Sequence, residues 1–199
     1  MRKVSLVGAV VAALLLATGG FANATTIDFS NLVGANEDPY AGSSQDGFTV
    51  TPVLGNWFEG HLFGNPVPSI FAGPIGAPVT SAILVTSAVP FTFDQVDLSC
   101  NNGESCQFFF DSFLFGVETP LAVGNVPGAF ATFNTELNTN PLIVMDTLLI
   151  AMAPDGDTTS MNLDNIVVES LARPVPEPAT MLLMGSALTG LALKRKRRS

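Results

Sequence analysis

Short alternations of apolar and polar residues, interrupted by Gly, Pro, Asn and Asp, fill the middle of this chain. Alternation of period two marks a strand with one buried face, and turn residues between such runs mark reversals. The runs fall at 27–29, 47–51, 81–86, 91–98, 107–110, 112–117, 129–134, 142–152 and 162–169. In 91–98 the alternating positions are Phe91, Phe93, Val96 and Leu98. Residues 142–153 form the longest apolar run and have the length of a buried helix, but their β-branched content and strand-like neighbours favour a strand. Residues 56–78, rich in Pro and Gly, read as a long irregular excursion. About nine short strands in this arrangement predict an antiparallel β-sandwich or jelly roll. The phenylalanines lie mainly in these runs and read as core.

The two ends follow other rules. Arg2 and Lys3 precede an apolar run over 4–17, and Ala22-Asn23-Ala24 supplies the small residues of a cleavage site. This is the form of a secretory signal peptide, with cleavage expected after Ala24. At the other end, Val175, Pro176, Glu177 and Pro178 follow Pro174, and the prolines exclude regular helix or sheet. Fifteen uncharged residues, 179–193, lead to the basic cluster Lys194, Arg195, Lys196, Arg197 and Arg198. As a helix the run would reach about 22 Å, short of the roughly 30 Å hydrocarbon core. The basic cluster is expected to stop transfer and stay cytoplasmic, with everything upstream outside. The whole is therefore expected to be all-β in its body: a signal peptide (1–24), a β-sandwich domain (25–173) and a short transmembrane sorting helix within 174–199.

Setting the ends aside changes the charge. The chain has 8 Lys and Arg against 17 Asp and Glu. Between 25 and 173 only Arg173 is basic while sixteen residues are acidic, a formal charge of −15. Such a field opposes nucleic acid and anionic lipid, and leaves cations and neutral sugars as compatible partners. Cys100 and Cys106 flank Asn102-Gly103, and in an exported chain this close pair reads as a disulfide stapling a hairpin, worth roughly 2 kcal/mol at most.

Residues 175–178, the apolar segment and the basic terminus together resemble the PEP-CTERM sorting signal. That resemblance implies export through the inner membrane of a Gram-negative bacterium that makes extracellular polysaccharide. It also implies processing near the Pro-Glu-Pro by the membrane protease exosortase. More loosely, Gly47-Phe48-Thr49-Val50-Thr51-Pro52, Phe93-Asp94-Gln95-Val96-Asp97-Leu98 and Leu163-Asp164-Asn165-Ile166-Val167-Val168 resemble galactose-binding-like or carbohydrate-module jelly rolls. By that resemblance Asp28, Glu37, Asp38 and Asp164 are candidates for a structural calcium (Ca2+), an ion that takes six to eight oxygens.

Tyr40 and Trp57, the only Tyr and Trp, stand in Gly-, Asn- and Pro-rich surroundings. Loops are expected there, and exposed aromatics stack on sugar rings, so these two are the candidate ligand-binding residues. Catalysis is not expected: a Ser–His–acid triad would need His61, the single histidine, and no nucleophile motif accompanies it. The expected role is a non-enzymatic, exosortase-sorted envelope or extracellular-matrix protein associated with exopolysaccharide. The alternative is a carbohydrate-binding module with a defined glycan, and a secreted hydrolase ranks third.

Overall fold

Every regular element among the described residues is a strand. The computed structural model describes residues 23–103 and 105–171, which lie within one unit, Ala22–Ala172. Signal residues 1–22, the Pro-Glu-Pro motif, the expected membrane helix and the basic cluster lie outside the described residues.

The strands are β1 (Asn23–Ile27), β2 (Ser43–Gln45), β3 (Phe48–Leu54), β4 (Trp57–Gly60), β5 (Ser69–Ala72), β6 (Ser81–Asn101), β7 (Ser105–Leu114), β8 (Val117–Pro127), β9 (Asn134–Leu137), β10 (Met145–Ala153) and β11 (Ser160–Ser170). All pairings between these strands are antiparallel, and β6 organises them. Its first part pairs with β3 and β10, its second with β11 and β9. Between these parts Ala88, Val89 and Pro90 are exposed. Proline withholds a ladder donor, so the strand can leave one layer and enter the other there. One layer thus runs β2-β3-β6-β10-β7-β8. The other is centred on β11, between β6 on one side and β1 and β5 on the other, with β4 outside β5.

One core holds the layers together. Phe93 of β6 meets Phe110 of β7 edge-on at 5.2 Å, and Phe48 of β3 meets Phe91 at 5.2 Å. Phe110 also stacks on Phe108 at 4.7 Å. Gly124 of β8 makes room for that stack, since a Cβ there would lie 2.6 Å from the Phe108 ring. The alternation read from sequence is met in β7, where Cys106, Phe108, Phe110 and Ser112 are buried and the residues between them are not. Cys100 and Cys106 are joined in a disulfide across the β6–β7 turn.

Several expectations are corrected. Residues 81–86 and 91–98 are one strand, because the break at Pro90 is a bend. Within residues 142–153 the expected strand is met as β10, starting at Met145. Residues 56–78 contain β4 and β5, and residues 129–133 form a turn that leaves Phe130 exposed before β9 begins at Asn134. Strand β1 starts at Asn23, with Asn23 opposite Ser170 and Ala24 opposite Glu169. Cleavage after Ala24 would leave Thr25, Thr26 and Ile27 of that strand still paired.

Candidate ligand-binding face

The two aromatics expected on exposed loops are core residues instead. Trp57 is 3% exposed and Tyr40 is 4% exposed. The indole of Trp57 donates to the Leu54 carbonyl at 3.2 Å. The Tyr40 hydroxyl bonds Ser43 Oγ at 2.8 Å and donates to the Val50 carbonyl at 3.3 Å, and its ring meets Phe29 edge-on. Burial pushes the Tyr40 phenol up to about 12. Neither ring is free to stack on a sugar. Composition suggested loops, but β4 pairs with β5 and turns Trp57 inward.

The calcium candidates do not converge. Among the described residues no group of three or more His, Cys, Asp or Glu side chains is placed to hold a metal ion. Asp28 Oδ1 accepts from the Ser30 amide and from Gln45 Nε2, and the Ser30 hydrogen bond comes first among the causes that hold its carboxyl below the usual range. Asp38 Oδ2 caps the Ala35 amide at 2.7 Å, and Glu37 meets only Asn36 Nδ2 by side chain. Both oxygens of Asp164 accept backbone amides, Oδ2 from Asn65 at 2.6 Å and Oδ1 from Asn165 at 2.8 Å. In this structure these carboxylates hold amide donors of the fold.

His61 does find a carboxylate. Its Nε2 lies 3.0 Å from Glu59 Oε2, which also accepts the Gly34 amide at 2.9 Å. The pair clamps the 34–38 loop on β4, assisted by the His61 amide donating to Asn36 Oδ1. Among the described residues the partner of this imidazole is the Glu59 carboxylate.

The outer face of the β11 layer is polar yet closed. Asp97 and Asp164 stand directly opposite each other on β6 and β11, 5% and 0% exposed. Asp97 receives Asn65 Nδ2, Asn165 Nδ2 and Thr135 Oγ1, and Asn165 Nδ2 also donates to the Asn65 carbonyl. Further along, Asn101 Nδ2 donates to Ser160 Oγ and Asn162 Oδ1, both at 2.9 Å, and the Ala131 amide caps Asn101 Oδ1. The loops that carry Asn65 and Ala131 meet through Phe63 and Phe130, edge-on at 5.6 Å. This carboxylate pair is sealed beneath the loops and out of reach of a polysaccharide.

The outer face of the other layer stays open. In the run Phe108-Phe109-Phe110 the outer rings face the core, so the middle one must face away. Phe109 is 37% exposed, between Ala151 of β10 and Val123 of β8. Two residues on, Asp111 lies between Leu149 and Pro120, and two further, Phe113 lies between Thr147 and Glu118. On the other side Gln107 faces Asn125. The rows continue across β6 and β3 through Ala82, Leu84 with Thr51, and Thr86 with Thr49. An open groove of about 380 Å³ is lined by Phe109, Asp111, Pro120, Leu121, Ala122 and Val123. Its lining is apolar apart from one carboxylate, Asp111, and Gln107 and Asn125 form the next pair along the two strands. Neither aromatic was singled out from sequence, though the Phe triplet carried the signal.

The chain carries a PEP-CTERM protein-sorting motif at residues 174–198. The motif marks it as exported and sorted at the membrane by exosortase in a Gram-negative cell. No curated protein matches the sequence. The β-rich body is similar to carbohydrate-binding jelly rolls among solved structures. The family 32 module of Clostridium perfringens NanJ, solved with galactose, is 16% identical, with TM-score 0.42 over 62% of this chain and 97% of that one. A family 29 module from Piromyces equi is 9% identical, with TM-score 0.45 over 75% and 91%. The K1 cleaved adhesin domain of Lys-gingipain from Porphyromonas gingivalis is 11% identical, with TM-score 0.48 over 75% and 99%.

Proposed function

We propose that this is a non-catalytic glycan-binding protein of the cell envelope or extracellular matrix, retained among exported polysaccharide by the open face of β7, β8 and β10. The observation that carries this reading is the Phe109–Asp111 groove. Pyranose rings present C–H faces that pack on apolar floors, while their hydroxyls seek carboxylate and amide partners. A largely apolar site with few well-placed polar groups meets both needs. Neutral glycans suit it, because residues 23–171 contain no Lys or Arg to pair with a uronate or sulfate. Residues 179–193 are read as the membrane segment that holds the chain until exosortase acts.

The test is a glycan and polysaccharide screen of the purified protein, followed by Phe109→Ala. That variant is expected to weaken the best neutral glycan at least about tenfold, which corresponds to about 1.4 kcal/mol. Phe109 packs on the outside, so its loss should leave the melt nearly unchanged. An unaltered Kd for the folded variant, or no neutral ligand at all, would count against the groove. Trp57→Ala is no test of binding, since it empties a core position.

A further inference from the structure

One end of the sandwich is marked by where the chain leaves it. The Leu171 amide donates to the Pro90 carbonyl at 3.0 Å, and Phe91 pairs with both Ser170 and Met145. Next to Met145, Asp146 Oδ2 accepts the Phe115 amide at 2.8 Å. The exit of the tail, the β6 bend, the start of β10 and the β7–β8 turn therefore share this end. Large apolar side chains stand in water there: Phe115 is 85% exposed, Leu142 90% and Val117 68%, with Val144 beside them.

Phe115 is also the wrong residue for its turn. Leu114 pairs with Val117, leaving a two-residue hairpin loop, with φ of 52° at Phe115 and 80° at Gly116. Such loops favour Asn-Gly, since a bulky residue at positive φ is strained. The fold gains nothing from an aromatic there.

The tail limits how far this end can stand from a membrane. Seven residues, 172–178, separate Leu171 from the apolar run, a reach of at most about 25 Å. As a helix that run is about 22 Å long, leaving it about 8 Å short of the hydrocarbon core. A linker this short holds the Leu171 end of the sandwich near whatever surface the tail enters. We propose that Phe115, Val117, Leu142 and Val144 form a membrane-contact tip, seating the sandwich on the zwitterionic lipid surface that its own tail enters. Aromatic and aliphatic side chains partition into that interface, and the acidic body makes an anionic surface the poorer match. This inference rests on the reading of 179–193 as a membrane segment.

The test uses the full chain in phosphatidylcholine proteoliposomes with brominated acyl chains, reading tryptophan quenching in two variants. Phe115→Trp reports the tip. Ile75→Trp reports the far end, where the neighbouring Gly76 amide bonds Thr159 and the Thr159 amide bonds Asn101, about 33 Å from Phe91 along β6. Both retain buried Trp57 as a common background. The added fluorescence at 115 is expected to fall about twofold, and that at 75 to hold. Equal signals at both positions, with the tail resisting alkaline extraction, would overturn the tip and leave the sorting reading intact. Extraction of the chain by alkali would overturn both. A Phe115→Asn chain should melt no lower than the parent, showing that the aromatic serves something other than the turn.

Discussion

Phe110→Ala should lower stability by about 3–5 kcal/mol, the range for emptying a large aromatic site in a packed core. Phe110 has no exposed surface and contacts Phe93 in the opposite layer and Phe108 on its own strand. A domain of this size is stable by only about 5–15 kcal/mol, so the variant should populate unfolded chains or unfold outright. Urea unfolding measures it, with the midpoint expected to fall and the slope to hold. The Phe93→Ala, Phe110→Ala cycle should show coupling of about 0.5–1.5 kcal/mol, because one edge-to-face contact is lost by either change. Independent effects would mean that this contact does not bind the layers together. Function follows from this link, since Phe109 points outward only while its two neighbours point in.

The second large effect is a dependence on pH centred at Asp164. Burial raises this carboxyl from 3.8 to about 7, and the nearby Asp97 and Asp28 add to the rise against two amide hydrogen bonds. Asp164, the fully buried carboxyl of the two, is the group whose protonation this burial favours. The folded state then binds this proton more tightly than the unfolded chain does. The stabilisation is complete below about pH 4 and is lost as pH climbs to about 7, on the order of 4 kcal/mol in all. Melting at closely spaced pH values should therefore show stability falling between about pH 4 and 7, and Asp164→Asn should flatten that slope. The slope is the measure, because Asn also leaves one of the two amides poorly capped. An unchanged slope would assign the dependence to other acids.

Much of the architecture was legible because a half-buried strand writes its alternation into the sequence. Phe48 and Val50, Phe91 and Phe93, and Ile166 and Val168 all fall on the side their spacing implied. Strand β8 is absent from the expected runs, and Pro120, Gly124 and Pro127 interrupt its alternation. At a sheet edge proline loses no ladder bond, and Gly124 accommodates a ring from the next strand. The disulfide was legible from two close cysteines in an exported chain. Trp57 and Tyr40 were misplaced because local composition says nothing of a partner such as Phe29 or Val50. Asp164 announced its burial by standing between apolar neighbours, but its partner Asn65 lies 99 residues away, a distance no local pattern spans.

The passage of β6 through both layers has a mechanical meaning. The tail leaves from β11, and the proposed ligand sits on β7 and β8, so a pull between anchor and glycan enters one layer and leaves by the other. It crosses from β11 into β6, then to β10 and β7, along antiparallel ladders. The Cys100–Cys106 bond adds a covalent strap between β6 and β7. Strands drawn lengthwise past each other must give up many ladder bonds together, whereas peeling would release them singly. A load applied between the two layers would thus be borne by ladders that yield together.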